Sequence, residues 1–213
     1  MKHQTAMPKL LLWGAGAHGR VIHDLARACG YRDLAFVDDG QTAELVCGSP
    51  VLRPDDERMR DYTHFIVSRG DNRARAQCFE AALRRGLEAV ELIHPSAVIS
   101  PSAVIGLGTM VLPLVVVGAG ASIGEDCILN TACVVEHDSQ VSDHVHIAVG
   151  AIIGGDVTVE PFVEAGMGAV VLSRLRIGRE AVLGAGAVAI RSVDAGWVVA
   201  GIPAKPLREV TPS

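Results

Sequence analysis

Two different apolar patterns divide the chain. From residue 93 onward, an aliphatic residue recurs at every sixth position, and the sixteen positions of this series up to residue 183 are Ile, Val or Leu except for Ala165. A helical face repeats every 3.6 residues and a half-buried strand every second residue, so neither keeps a six-residue phase for so long. The pattern therefore predicts a solenoid over residues 93–188, in which each repeat is one short strand and one corner.

A second series supports the solenoid. The residue four positions after each aliphatic residue is small in most repeats, as at Ala97, Cys127 and Cys133. The residue directly after each aliphatic residue is often glycine, as at Gly106 and Gly118. We expect the aliphatic and the small residues to point inward and the glycines to accommodate tight backbone at the corners. Three repeats complete one coil, so residues eighteen positions apart should stack on neighbouring coils.

The uncharged stretch over residues 93–124 belongs to this repeat. It contains no Asp, Glu, Lys or Arg, and a hydropathy window would assign it to a membrane helix. Its three prolines and five glycines disfavour a helix. We therefore expect solenoid strands here and no association with a membrane.

Residues 9–92 alternate short apolar strands with amphipathic helices. Strands are predicted at 9–13, 34–37, 65–67 and 89–93. Helices are predicted from residue 21 to the stop at Gly30, and from residue 72 to about 85. Strand–helix alternation favours a parallel sheet, so residues 1–92 are expected to form a small Rossmann-like α/β domain.

The turn after the first strand carries candidate nucleotide-binding residues. It reads Gly14-Ala15-Gly16-Ala17-His18-Gly19, and Asp38 and Asp39 follow the second strand. A glycine-rich turn that opens a helix, with an acid about twenty residues further on, is typical of phosphate and ribose binding. The domain has about half the size of a full dinucleotide fold, which suits a mononucleotide. A tight turn without a ligand is the alternative.

Composition narrows the function classes. The chain has 213 residues, 49% of them hydrophobic, and a net charge of −5, which argues against nucleic acid as a partner because phosphate binding needs a basic surface. The five cysteines form no C-x-x-C pair. This pattern excludes a disulfide framework and a thiolate zinc site, and it favours a cytoplasmic location.

The combination resembles the left-handed parallel β-helix, or hexapeptide-repeat, acetyltransferases that carry an N-terminal Rossmann-like domain. The motifs are the glycine-rich turn, Phe36-Val37-Asp38-Asp39, Leu129-Asn130-Thr131, Glu136-His137-Asp138 and Gly201-Ile202-Pro203-Ala204-Lys205. Within that group the chain is similar to the bacillosamine-pathway N-acetyltransferases of UDP-linked 4-amino sugars and to sialic acid O-acetyltransferases. The chain differs from the family pattern at Ala17 and at Ser68-Arg69, where one residue is extra.

The resemblance implies acetyl-CoA as co-substrate, a nucleotide-sugar as the other substrate, and a homotrimer with its active site between neighbouring subunits. It assigns residues 1–92 to nucleotide-sugar binding and residues 93–213 to acetyl transfer, with no metal. The implied cofactor-binding residues are His146, Gly166, Met167, Ala185 and Lys205. The implied substrate-binding residues are Gly16, Ala17, His18, Asp38, Asp39, Gly70 and Asn130.

His137 is the candidate base, and Asp138 is its candidate partner. A neutral imidazole can accept the proton of an attacking amine near pH 7, and a carboxylate at the other ring nitrogen fixes its tautomer. Glu136 is the rival for this carboxylate, because Asp138 reaches the ring only if the chain turns a corner there. The small residues one coil away, Ala119 and Gly155, should leave space around the ring.

Other functions stay open at this stage. Residue patterns do not separate an amine from a hydroxyl acceptor, so sialic acid O-acetylation is the closest alternative. A metal-dependent hydratase of the gamma carbonic anhydrase type is suggested by His137, His144 and His146, although we expect His144 to be a surface residue. A non-catalytic nucleotide-sugar-binding scaffold is the third. Cys127 and Cys133 should be buried and inert.

Overall fold

The structure is a computed structural model that describes residues 7–210. The chain divides between Leu92 and Ile93 into two compact units. Among the described residues, no helix is both long enough and apolar enough to cross a membrane. None of the five cysteines, all of which lie in the described part of the chain, forms a disulfide, and the cytoplasmic location stays a prediction.

The first unit is a six-stranded sheet with the strand order β3-β4-β2-β1-β5-β6. All of its pairings are parallel except that of β3 with β4, which confirms the parallel sheet that the alternation predicts. Its strands are β1 (Leu10–Trp13), β2 (Leu34–Val37), β3 (Leu45–Val46), β4 (Ser49–Leu52), β5 (His64–Val67) and β6 (Glu88–Ala89). Its helices are α1 (Ala17–Ala28), α2 (Asn72–Arg84) and a 3₁₀-helix at Glu57–Asp61.

Local sequence sets the helix bounds. Gly30, at φ 100°, follows the end of α1 and takes the left-handed conformation that terminates helices. Asp71 caps α2 by accepting a hydrogen bond from the Ala74 N–H at 2.7 Å. The predicted strand over 89–93 is wrong as one element, because β6 pairs with β5 while β7 (Leu92–Ile93) pairs with the solenoid strand β10.

The second unit is a parallel β-helix. Its coil strands are β7 (Leu92–Ile93), β8 (Val98–Ile99), β9 (Val104–Ile105), β10 (Met110–Val111), β11 (Val116–Val117), β12 (Ser122–Ile123), β13 (Ile128–Leu129), β14 (Val134–Val135), β15 (Gln140–Val141), β16 (His146–Ile147), β17 (Ile152–Ile153), β18 (Thr158–Val159), β19 (Glu164–Ala165), β20 (Val170–Val171), β21 (Arg176–Ile177), β22 (Val182–Leu183) and β23 (Val188–Ala189). They form three sheets, which are the sides of a triangular prism. The registers pair Val111 with Leu129, and Leu129 with Ile147, so the predicted stacking of residues eighteen positions apart is confirmed.

The interior of the prism consists of the two predicted inward series. Aliphatic residues such as Val135 and Ile153 and small residues such as Cys133 and Ala151 are buried in one core. Burial raises the pKa of the Cys133 thiol to about 12, so this residue is an inert core thiol as expected. The coil ends at β24 (Trp197–Ala200), which pairs with β22, and at the antiparallel strand β25 (Lys205–Glu209).

The corners differ from the sequence prediction. Left-handed backbone (positive φ) occurs at every sixth residue from 108 to 186, and only five of these residues are glycine, at 108, 120, 150, 168 and 186. The predicted corner glycines lie two positions earlier and have a steric role instead. A Cβ on Gly106 would lie 2.5 Å from the Gly124 carbonyl oxygen, and one on Gly118 would lie 2.6 Å from the His137 nitrogen. These glycines allow close stacking of coils rather than an unusual dihedral angle.

Candidate active site

A hollow in the first unit gathers most of the predicted nucleotide-binding residues. It lies where β1, β2 and β5 end, the edge at which parallel α/β sheets bind ligands. Its lining contains five of the six predicted N-terminal contacts together with Ser68 and Arg69. The full lining is Gly14, Gly16, Ala17, His18, Asp38, Ser68, Arg69, Gly70, Asp71 and Ala74. The sixth contact, Asp39, lies beside it, with its Oδ1 atom 3.9 Å from Nη2 of Arg69.

The glycine-rich turn packs tightly onto helix α1. Gly14 has φ 124°, and a Cβ on Gly19 would lie 2.3 Å from the Gly14 carbonyl oxygen. Helix α1 begins after Gly16 without a side-chain cap and has no acidic residue in its first turn. Its first N–H groups therefore face the hollow without competition from a protein carboxylate.

Asp38 is held by hydrogen bonds within the protein, and its contact with the substrate stays a prediction. Its carboxylate accepts hydrogen bonds from the N–H groups of Ala15 (2.8 Å), Gly40 (2.9 Å) and Gln41 (3.0 Å). Burial opposes its ionisation, but these three bonds, together with the charge of Arg69, outweigh that effect and hold the pKa of the carboxyl below its usual range. Asp38 thus ties the glycine-rich turn to the segment after β2, and Asp39 is the acid whose side chain is open to a ligand.

His18 is uncharged at neutral pH. Burial, and then the charge of Arg75, lower its pKa to about 4. The imidazole therefore brings no positive charge to a phosphate. His18 can therefore contact a nucleotide only through hydrogen bonds, and that contact stays a prediction.

The candidate base sits at the corner after β14. Asp138 adopts φ 59°, so the chain turns there. The turn places the Asp138 Oδ2 atom 2.9 Å from the His137 Nδ1 atom. Glu136 accepts only the backbone N–H of His137, at 3.3 Å. Of the two rival carboxylates, Asp138 is the one that contacts the ring.

The pair leaves one ring nitrogen for chemistry. With Nδ1 as donor to Asp138, the lone pair of the neutral ring is on Nε2. The hydrogen bond to Asp138, aided by the charges of Glu136 and Asp156, raises the pKa of His137 above its usual value. A more basic imidazole is a better proton acceptor in the pH range where acyl transfer operates.

The ring lies directly against Gly155 of the next coil. A Cβ at that position would be 2.5 Å from His137 Nε2 and 2.8 Å from Cε1. The small residue that the sequence predicts at position 155 is therefore necessary, because a side chain there would collide with the His137 ring. The open hollow around the ring is lined by His137, Asp138, Gly155, Asp156, Ser173 and Arg174.

His146 lies on a different side of the prism. It begins β16, in the eight-stranded sheet, whereas His137 follows β14 of the six-stranded sheet that ends in β23. The Nε2 atom of His146 is 3.1 Å from Nδ2 of Asn130. The amide nitrogen is the donor there, so the imidazole proton is on Nδ1. Asn130 also accepts a hydrogen bond from the Thr131 N–H at 2.9 Å, and its contact with the substrate stays a prediction.

The expectation that His144 is a surface residue is wrong. Its Nδ1 atom is 2.8 Å from Oδ2 of the buried Asp126, and the His144 side chain is 16% exposed. Its ring stacks on Phe162 with centroids 4.9 Å apart. The register causes this, because residues 126, 144 and 162 stack at one corner. The three histidines suggested for a hydratase therefore have separate partners, and the described residues contain no group of three or more His, Cys, Asp or Glu that could hold a metal ion.

Known proteins with the same architecture resemble this chain over nearly its full length. Residues 9–82 match the family model of the PglD N-terminal domain. A histidine-to-alanine mutant of GDP-perosamine N-acetyltransferase from Caulobacter crescentus, solved with CoA and GDP-perosamine, is 33% identical with a TM-score of 0.90. The match covers 96% of this chain and 99% of that one. The chain belongs to the family of hexapeptide-repeat nucleotide-sugar N-acetyltransferases.

Two other known proteins support this assignment to the family. The acetyltransferase domain of PglB from Neisseria gonorrhoeae, solved with acetyl coenzyme A, is 38% identical over 94% of this chain and 99% of that one, with a TM-score of 0.89. UDP-N-acetylbacillosamine N-acetyltransferase from Bacillus subtilis is 36% identical over 115 residues, which is 50% of this chain and 52% of that protein. The alignment thus spans about half of this curated relative. The predicted fold class, a Rossmann-like domain followed by a left-handed β-helix, is confirmed.

Apart from His146, the cofactor residues that the family implies lie at two places in the β-helix. Gly166 stacks under Ala185, since a Cβ on Gly166 would lie 2.9 Å from the Ala185 nitrogen, and the neighbouring Met167 is exposed. Lys205 is exposed at the start of β25, where it lines a separate hollow with Trp197. The cofactor role of all of these residues stays a prediction for this acetyltransferase.

Several structurally important residues were missed by the sequence reasoning. Arg75 is fully buried beneath the N-terminal hollow, where its guanidinium donates to the Asn72 side chain at 2.9 Å. Asp126 is buried beside His144. The position of a charged residue in a helix or a hexad does not show which residue it contacts. Only the stacking of residues eighteen positions apart could have suggested Asp126, because it precedes His144 by eighteen residues.

Proposed function

We propose that the protein transfers the acetyl group of acetyl-CoA to the amine of a nucleotide-linked amino sugar, with His137 as the general base. The observation that carries the proposal is the His137–Asp138 pair, which lines an open hollow and whose imidazole Nε2 atom lies over Gly155. Family membership supports the class of reaction. The first candidate for the acceptor is a UDP-4-amino-4,6-dideoxy sugar, and the solved relatives named for GDP-perosamine make a GDP-linked sugar the next to test.

His137 acts on the amine as it attacks the thioester carbonyl. A C–N bond forms, and Nε2 takes the proton that the amine nitrogen loses. Asp138 holds the ring and stabilises the resulting imidazolium. The C–S bond then breaks, and His137 returns the proton to the departing thiolate, so atoms and charges balance without an acyl-enzyme. His146, with its proton on Nδ1, is the candidate donor to the carbonyl oxygen.

We propose that the enzyme is a homotrimer whose active sites form between neighbouring subunits. The six-stranded side of the prism that contains β14 presents an aliphatic residue outward in every strand, at positions Val98, Val116, Val134, Ile152, Val170 and Val188. Such a stripe next to the His137 corner suits a second copy of the chain. As part of this proposal, the His146 side of one prism meets the His137 corner of its neighbour. Measurement of the solution mass tests this, and a monomer at micromolar concentration would contradict it.

The pH profile provides a prediction for Asp138. The base works in its neutral form, so kcat/KM should fall as the pH decreases through the His137 pKa. Because the hydrogen bond to Asp138 raises that pKa, an Asp138→Asn variant should lose part of its maximal rate and shift the acid limb of the profile to lower pH. An acid limb that stays in place, or moves to higher pH, would show that Asp138 does not act on the base.

The proposed function is tested by release of free CoA thiol from acetyl-CoA against a panel of acceptors. The panel contains UDP- and GDP-linked 4-amino sugars, the corresponding sugars without the amine, and free and CMP-linked sialic acid. Thiol release with an amino sugar alone supports N-acetylation and identifies the nucleotide. Release with sialic acid would move the function to O-acetylation on the same fold.

A further inference from the structure

Arg69 crosses the N-terminal hollow and has no role in the reaction described so far. Its Cγ atom would lie 3.0 Å from a Cβ on Gly14. Its Nη2 atom is 3.9 Å from Oδ1 of Asp39. The side chain therefore extends from the end of β5 over the glycine-rich turn toward the end of β2. It lines the same hollow as the first residues of helix α1, where a phosphate group would be received.

Apart from Asp39, the other ionisable groups around this hollow are already engaged or uncharged. Asp38 accepts three backbone N–H groups, and Asp71 caps helix α2. His18 is neutral because its pKa is about 4. Arg75 is fully buried and hydrogen-bonded within the protein. Among the residues that line the hollow, Arg69 is the only arginine or lysine.

A nucleoside diphosphate-linked sugar needs two phosphate partners at such a site. The N–H groups at the start of α1 can receive one phosphate. A second phosphate would lie among backbone and acidic groups unless a cation meets it. A guanidinium is suited to this task because it binds phosphate oxygens in a planar, bidentate arrangement.

Building on the proposed function, we propose that Arg69 binds the diphosphate and selects nucleoside diphosphate-linked sugars over nucleoside monophosphate-linked ones. The contact between Arg69 and Asp39 is long and both side chains are solvent-accessible, so it contributes little stability and the guanidinium can turn to a ligand. That movement leaves the Asp39 carboxylate to accept hydrogen bonds from ribose hydroxyls. Arg69 is then a specificity-determining residue, and it lies in the segment where the chain departs from the family pattern, at Ser68-Arg69.

Calorimetric titration of the full chain tests the proposal without catalysis. The probes are UMP and UDP-glucose, which carry about the same charge, and the corresponding pair GMP and GDP-mannose. The unchanged protein should bind the diphosphate sugar of one pair more tightly than its monophosphate. Arg69→Gln should weaken binding of that diphosphate sugar by about 10-fold or more, as expected for loss of a charge-assisted hydrogen bond, and should affect the monophosphate much less.

Two variants separate this role from a structural one. Arg84→Gln removes an exposed arginine from the end of α2, outside the lining of the hollow, and should leave both affinities unchanged. Asp39→Ala removes the acid that Arg69 contacts and should weaken binding of both probes by a similar factor, because the ribose is common to them. If Asp39→Ala reproduced the selective loss, Arg69 would act only through that contact and the proposal would be wrong.

The same titrations distinguish a failure of this inference from a failure of the proposed function. If the unchanged protein binds a nucleotide sugar but Arg69→Gln alters neither affinity, or alters both equally, Arg69 has no part in selection and the proposed function stands. If the unchanged protein binds none of the four probes, both the nucleotide-binding role of the first unit and the role of Arg69 are overturned.

Discussion

Replacing His137 with alanine is expected to lower kcat by about 10²–10⁴, the range for loss of a general base. The side chain is exposed at a corner and contacts Asp138 through its ring. Its removal should therefore affect the proton transfer rather than the fold. The rate is measured as CoA thiol release with whichever acceptor the panel identifies.

The thermal midpoint of the His137→Ala variant is the control for this prediction. An unchanged midpoint together with the lower kcat would assign the loss to chemistry. A variant with nearly the original rate would remove His137 from the role of base, and His146 or a solvent-mediated route would have to replace it.

Replacing Gly155 with alanine is expected to lower kcat by about 100-fold, because displacement of a catalytic group by about 1 Å has effects of this size. The new methyl carbon would lie 2.5 Å from His137 Nε2, the atom that accepts the proton. The imidazole is the flexible partner, so it should move and the fold should remain. The backbone tolerates side chains here, since Ala119 and Ser173 occupy the equivalent position on other coils.

A double-mutant cycle makes the Gly155 prediction specific. In a His137→Ala background the ring is absent, so the additional methyl group has nothing to displace. The double variant should then be as slow as His137→Ala alone, which is the strong coupling expected for two residues in contact. Additive losses would show that Gly155 acts on something other than this imidazole.

The β-helix could be predicted from the sequence because each of its residues obeys a local rule. A slip of one residue in any coil would turn inward residues such as Val135 and Ile153 toward solvent, so the hydrophobic pattern fixes the register. The same rule predicted that Gly155 lies beside His137. It did not locate the left-handed residue of each corner, because the stacked coils can hold non-glycine residues such as Asp138 and Phe162 in that conformation.

The first unit was less predictable, because its function depends on contacts between segments distant in sequence. Asp38 has the residue type and the spacing of a ribose ligand, yet its partner Ala15 lies 23 residues earlier. The hairpin of β3 and β4 also escaped prediction. Each of these strands is short, and Pro50 interrupts the apolar pattern of β4.

Because Val111, Leu129 and Ile147 stack on successive coils, the orientation of a side chain in the β-helix repeats every eighteen residues. Loss of one residue between His137 and Gly155 would advance every later side chain by one position, turning inward residues outward and removing the glycine from under the imidazole. Loss of a whole coil of eighteen residues would leave every later side chain in its original orientation and keep the geometry of the prism. Evolution of this enzyme by insertion and deletion should therefore proceed within its β-helix in complete turns, while loops that lie outside the coil can change length freely.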